Sequence, residues 1–82
     1  VTRMNDRQRA VLAALIEKYE QLHGRSPGCI LAHQDAYCMI RTDIAHGRVR
    51  PDGRLHWKGI EVKGVDRPGN AVYLAGEPEY FA

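Results

Sequence analysis

Gly24-Arg25-Ser26-Pro27-Gly28-Cys29-Ile30-Leu31-Ala32-His33 separates the one strongly helical segment of this chain from everything that follows it. Ser26-Pro27 has the chemistry of a helix start: serine as N-cap, then proline at the first helical position, where a missing N–H costs nothing. On that reading 27–33 forms a short helix that buries Ile30 and Leu31, held to two turns by Gly28. Upstream, Asn5 and Gln8 make a capping-box pair for a helix over 6–23. Val11, Leu15, Ile16, Tyr19 and Leu22 recur at spacings of three and four, Leu12 widens the stripe, and Gly24 ends it. Downstream, Asp35 caps a third helix over 36–46, stopped by Gly47. Ala36, Met39, Ile40 and Ile44 form its inner side, and Tyr37, Arg41 and Thr42 face outward.

Beyond Gly47 the chemistry changes to turns and strands. Pro51-Asp52-Gly53 and Arg67-Pro68-Gly69-Asn70 are turn sequences, flanked by β-compatible pieces at 54–57, 60–65 and 71–75. Ile60-Glu61-Val62-Lys63 alternates apolar and charged residues, as a half-buried strand does, and Val72-Tyr73-Leu74 suits a hairpin partner for it. Residues 77–82 are expected as a short tail. The expected architecture is one α+β domain over 1–82: three helices, then a C-terminal β-hairpin over 54–75.

Composition narrows the function classes. The chain has 82 residues, 12 basic and 10 acidic, with 44% hydrophobic and 7% aromatic content. That supports one small core and leaves no room for a large cofactor cleft. The longest apolar run, Ala10 to Ile16, is seven residues against the ~20 that span a bilayer. No leader pattern is visible, and Cys29 and Cys38 allow at most one disulfide, so reduced thiols in a cytoplasmic protein are expected.

Asp6-Arg7-Gln8-Arg9-Ala10-Val11-Leu12, Gly24-Arg25-Ser26-Pro27 and Ile30-Leu31-Ala32 together resemble the opening of the LexA-type DNA-binding domain. Lys58-Gly59-Ile60-Glu61-Val62, with Ala71-Val72-Tyr73-Leu74 after a turn, is similar to that family's wing. Gly28-Cys29 departs from the small polar residue and glutamate usual there, and 48–57 stands as an insertion. The resemblance implies a winged helix-turn-helix, a sequence-specific transcriptional regulator whose 36–46 helix lies in the major groove of duplex DNA. A homodimer on paired half-sites follows.

On this mapping Tyr37, Cys38, Arg41 and Thr42 meet base edges, Ser26 holds a phosphate, and Lys63 and Arg67 serve from the wing. Arg48 and Arg50 join them, because the stretch 41–67 carries seven bases against four acids. A protein-protein interaction module, such as a phage- or plasmid-encoded inhibitor or adaptor, is the alternative. Trp57 is its anchor, with Arg54 and Lys58 beside it. Cys29, His33, Cys38 and His46 have the spacing C-x3-H-x4-C-x7-H, which lacks the paired tight knuckles of a structural zinc site; no metal is expected. Glycines are scattered over turns and no nucleophile stands beside an orienting group, so neither catalysis nor a cofactor is expected.

Overall fold

Helix α1, Asp6–His23, forms where its caps require. The Gln8 amide donates to the Asn5 side chain at 2.8 Å, and the Gln8 side chain accepts the Asn5 N–H at 3.0 Å. Gly24 closes the helix at φ +70°, its N–H bonded to the Glu20 carbonyl. This is a computed structural model describing residues 3–74 and 78–80.

The stretch after α1 is not a helix. Cys29–Ala32 is strand β1, and Ser26 caps nothing: its hydroxyl donates to Glu20 Oε2 at 2.7 Å. A continuous apolar run of four residues suits a central strand as well as a helical turn. As a strand it places Ile30 and Ala32 wholly in the core and satisfies its backbone on both edges. Helix α2, Gln34–Arg41, is shorter than the 36–46 helix expected. Its first amides need no side-chain cap, because the Gln34, Asp35 and Ala36 N–H groups donate to the carbonyls of Arg67 and Gly69 at 2.8–3.2 Å. At the other end Thr42 caps the helix, and Ile44, expected inside, is 77% exposed.

Four strands follow in hairpin-rich order: β2 Gly47–Val49, β3 Leu55–Trp57, β4 Ile60–Gly64 and β5 Ala71–Tyr73. The two residues between β3 and β4, Lys58 at φ +50° and Gly59 at φ +82°, have the paired positive φ of a tight two-residue hairpin. Of the expected 77–82 tail, Pro78–Tyr80 forms a short edge strand β6, and 77, 81 and 82 lie outside the described residues. The order across the sheet is β2-β3-β4-β1-β5-β6. Strand β1 runs parallel to β4, with Cys29 opposite Glu61 and Ala32 opposite Gly64, and antiparallel to β5. The five strands β1 to β5 thus form a mixed sheet with one parallel pair, which β6 extends. The expected hairpin between 60–65 and 71–75 does not exist, since β1 lies between its two arms. With two helices separated by a central strand, the winged helix-turn-helix is excluded.

Both helices pack on one face of the sheet. Leu12, Ile16, Ala36, Met39 and Ile40 meet Ile30, Ala32, Leu55, Trp57, Val62 and Val72 in a single core, with Met4 at its margin. The buried Trp57 indole N–H donates to Asp43 Oδ2 at 2.7 Å, and Asp43 Oδ1 accepts the Ala45 N–H at 3.2 Å. These bonds hold the α2–β2 connection in place of another helical turn. Gly47 is required there by close approach: a Cβ would meet the Asp43 and Ile40 carbonyl oxygens at 2.7 and 2.9 Å. Among the described residues no helix is long and apolar enough to cross a membrane.

Candidate nucleic-acid interface

Because strands alternate faces, burying Ile30, Leu55, Trp57 and Val62 under the helices turns their neighbours to the other side. The register then fixes what lies abreast. One row runs Arg48, His56, Glu61, Cys29 across β2, β3, β4 and β1. In the next row Lys63 on β4 lies beside Leu31 on β1, and Leu31 beside Tyr73 on β5. That row extends toward the β2–β3 turn. The Arg50 N–H donates to the Arg54 carbonyl at 2.9 Å, and one further step of the β3–β4 register sets Arg54 beside Lys63. Arg50 after β2, Arg54 before β3 and Lys63 on β4, all exposed, therefore form a line of cations with neighbouring backbones spaced by ~4.8 Å.

Their compensation is uneven. The Arg54 guanidinium lies 3.9 Å from Glu61 and 3.7 Å from Asp52, the acidic residue of the turn. Arg48 Nη1 donates to the carbonyls of Ile44 and Gly47 at 2.9 and 2.8 Å, which holds it at the sheet edge. Arg50 has no side-chain partner among the described residues. Beyond the cations, the half-buried Tyr73 ring has its hydroxyl within 2.9 Å of His33 Nε2, and His56 is half-buried.

The expected contact residues divide between the two layers. Arg48, Arg50 and Lys63 gather on the open face, joined there by Arg54. Ser26, Tyr37, Arg41 and Thr42 do not join them. Ser26 follows α1 beside Glu17, Glu20 and Lys58; Tyr37 packs on Gly64 from the helix side. Thr42 Oγ1 donates to the Met39 carbonyl at 2.7 Å and accepts the Met4 N–H at 3.4 Å, so its role is to fasten the chain. Arg41 ends α2 in the helical layer, and Arg67 lies in the β4–β5 loop that caps α2. Arg54, placed above with the protein-binding residues, belongs to the cationic row. The alternations Arg48-x-Arg50 and Arg54-x-His56 carried that signal.

Two other candidate groups come apart. Trp57 is wholly buried and offers no anchor to a partner; Lys58 lies over its ring, 5.4 Å from the centroid. Cys29 faces the open side of β1, Cys38 sits on α2, His33 bonds Tyr73, and His46 packs edge-on against Trp57. Among the described residues no three His, Cys, Asp or Glu side chains converge on one point.

The β2 edge is blunted as well. Its outward groups are those of Gly47 and Val49, because the His46 and Arg50 backbones bond β3. The Gly47 N–H is taken by the Asp43 carbonyl, its own carbonyl by Arg48, and Pro51 has no N–H to offer. Only Val49 is left open to a further strand, as suits an edge protected against pairing.

No family model matches this chain, and neither a curated protein nor a solved structure does; the likeness to the LexA-type domain ends with its local motifs, since the fold beneath them is a different one.

Proposed function

We propose that this protein binds nucleic acid through the open face of its sheet, with Arg48, Arg50, Arg54 and Lys63 contacting phosphates. The observation that supports it is the row Arg50, Arg54, Lys63. Like charges directly opposite on neighbouring strands are destabilising by a few tenths of a kcal/mol or more. Here three adjacent positions carry them, with Glu61 and Asp52 both placed at Arg54. A polyanion laid across the row removes that repulsion and gains entropy from the counterions it releases. Such a ligand sets the protein inside the cell, where Cys29 and Cys38, both free thiols, stay reduced.

Binding of a labelled mixed-sequence oligonucleotide at low ionic strength tests the reading. The native chain is expected to bind with a Kd of roughly 1–100 μM at physiological salt, the ordinary range of non-specific association, and more tightly at low ionic strength. The double reversal Arg50→Glu with Lys63→Glu is expected to abolish binding while circular dichroism stays unchanged. No binding by the native chain at 50 mM salt, or native affinity in the folded double variant, refutes it.

A further inference from the structure

We infer that the ligand is duplex DNA and that Arg50, a phosphate contact on mixed sequence, turns at a preferred site to a base edge in the major groove, entering it from the tip of the β2–β3 hairpin; this rests on the nucleic-acid reading above. The four cations are not equivalent. Arg48 is bonded to two carbonyls at the sheet edge. Arg54 stands between Glu61 and Asp52, and Lys63 lies within the sheet beside Leu31. Arg48 and Arg54 are positioned charges, and Lys63, a point charge with no side-chain partner among the described residues, lacks a fork; all three suit a phosphate, which fixes register without reading sequence. Arg50 alone has an uncommitted guanidinium, on the last residue before the Pro51-Asp52-Gly53 turn. Its backbone is held by the bond to Arg54, and Pro51 restricts the chain after it. A planar fork on a rigid tip matches the O6 and N7 acceptors of guanine, which the major groove presents side by side.

The open face argues for a duplex over a single strand. Single-stranded ligands are held by exposed aromatic rings on which unstacked bases lie. Among the described side chains of this face, Tyr73 is half-buried with its hydroxyl tied to His33, and His56 is half-buried between Arg48 and Glu61. Neither offers a free stacking surface. The β2–β3 hairpin forms one edge of the sheet, flanked by β4 on the β3 side alone, and its turn can enter the ~12 Å major groove of B-form DNA, whereas the deep, narrow major groove of an RNA helix shuts it out.

The test compares a pool of random-sequence DNA duplexes with single-stranded DNA and double-stranded RNA of equal length, then selects preferred duplexes for the native chain and for Arg50→Lys. The expected result is a preference for duplex DNA, with a guanine-containing site enriched roughly tenfold or more. Arg50→Lys keeps the overall affinity and salt slope, because the charge remains, but loses the enrichment; Arg48→Ala weakens all sequences alike. Tighter binding to single strands or to double-stranded RNA, or an unchanged sequence preference in Arg50→Lys, overturns the inference and leaves the nucleic-acid reading standing. Absence of binding to all three ligands overturns both.

Discussion

Salt dependence gives the sharpest quantitative check on which surface meets the phosphates. Each phosphate neutralised on duplex DNA contributes about −0.9 to the slope of log K against log[salt]. Were Arg48, Arg50, Arg54 and Lys63 all engaged, the slope would be about −3.6, a loss of roughly 150-fold between 50 and 200 mM salt. Arg54 is partly spent, since Glu61 and Asp52 stand within 3.9 and 3.7 Å of it. Surface pairs of this length are worth only ~0–1 kcal/mol, so the ion pair weakens that contact without removing it. The expected slope therefore lies between about −2.7 and −3.6, or roughly 40- to 150-fold over that salt range. Fluorescence anisotropy of a labelled mixed-sequence duplex, on which Arg50 meets phosphate, titrated at several salt concentrations measures it. Arg48→Ala or Lys63→Ala should each make the slope shallower by about 0.9, and Glu61→Gln, which frees Arg54, should steepen it. Arg41→Ala and Arg7→Ala remove equal charge from the helical layer and should leave the slope unchanged. A native slope shallower than about −1, or equal changes from Arg41→Ala and Lys63→Ala, refutes the assignment of the open face.

Two further outcomes concern the frame that holds that face. Asp43→Ala should destabilise the fold by about 2–4 kcal/mol, because the Trp57 indole N–H stays buried with no acceptor after losing a 2.7 Å bond to a carboxylate; thermal melts should fall by at least 8 °C at ~4–8 °C per kcal/mol for a domain of this size. Ile30→Ala should cost about 2–5 kcal/mol and Leu31→Ala markedly less, since their side chains leave β1 on opposite faces and only Ile30 is fully buried; equal losses in urea unfolding would argue for the helical reading of 27–33.

How much of this was legible follows the range of the interactions. The bounds of helix α1 could be read, because Asn5, Gln8 and Gly24 act within one turn of the helix they bound; its inner face could be read only in part, since Leu22 of the expected stripe is 71% exposed and Leu12 is wholly buried. The strand character of 60–64 was also local, resting on the alternation of Ile60 to Lys63, whereas the Lys58-Gly59 turn that joins it to 55–57 was not read. Strand β1 was not. Ser26-Pro27 is a sound helix start, and four apolar residues are too few for a period to distinguish a helix from a buried strand. What decides it is pairing with Glu61 to Gly64, thirty-two positions along the chain, which no local pattern announces. The end of α2 was hidden for the same reason, since Asp43 is drawn away by Trp57, fourteen residues on. The site was half legible. The basic residues of 41–67 stood out as a group, yet Arg48 and Arg50 fell to one hypothesis and Arg54 to another until the β2–β3 register set Arg50 against Arg54.

That single reassignment of β1 reverses the relation between the helices and the charges. In a helix-turn-helix the second and third helices present the reading surface, and the hairpin supports it from the side. With β1 at the centre, both helices are drawn onto one face to cover Ile30 and Ala32, and Leu12, Ile16, Met39 and Ile40 go into the core. Arg41 ends in that layer, while Arg48, Arg50, Arg54 and Lys63 emerge on the other side of the sheet. The cations expected in the 48–57 insertion and the wing thus lie together on the β2–β3–β4 face, and the helix expected to read DNA lies in the opposite layer. A ligand long enough to touch all four cations need not touch α2 at all, which is why substitutions in α2 and on the open face must separate in the salt series.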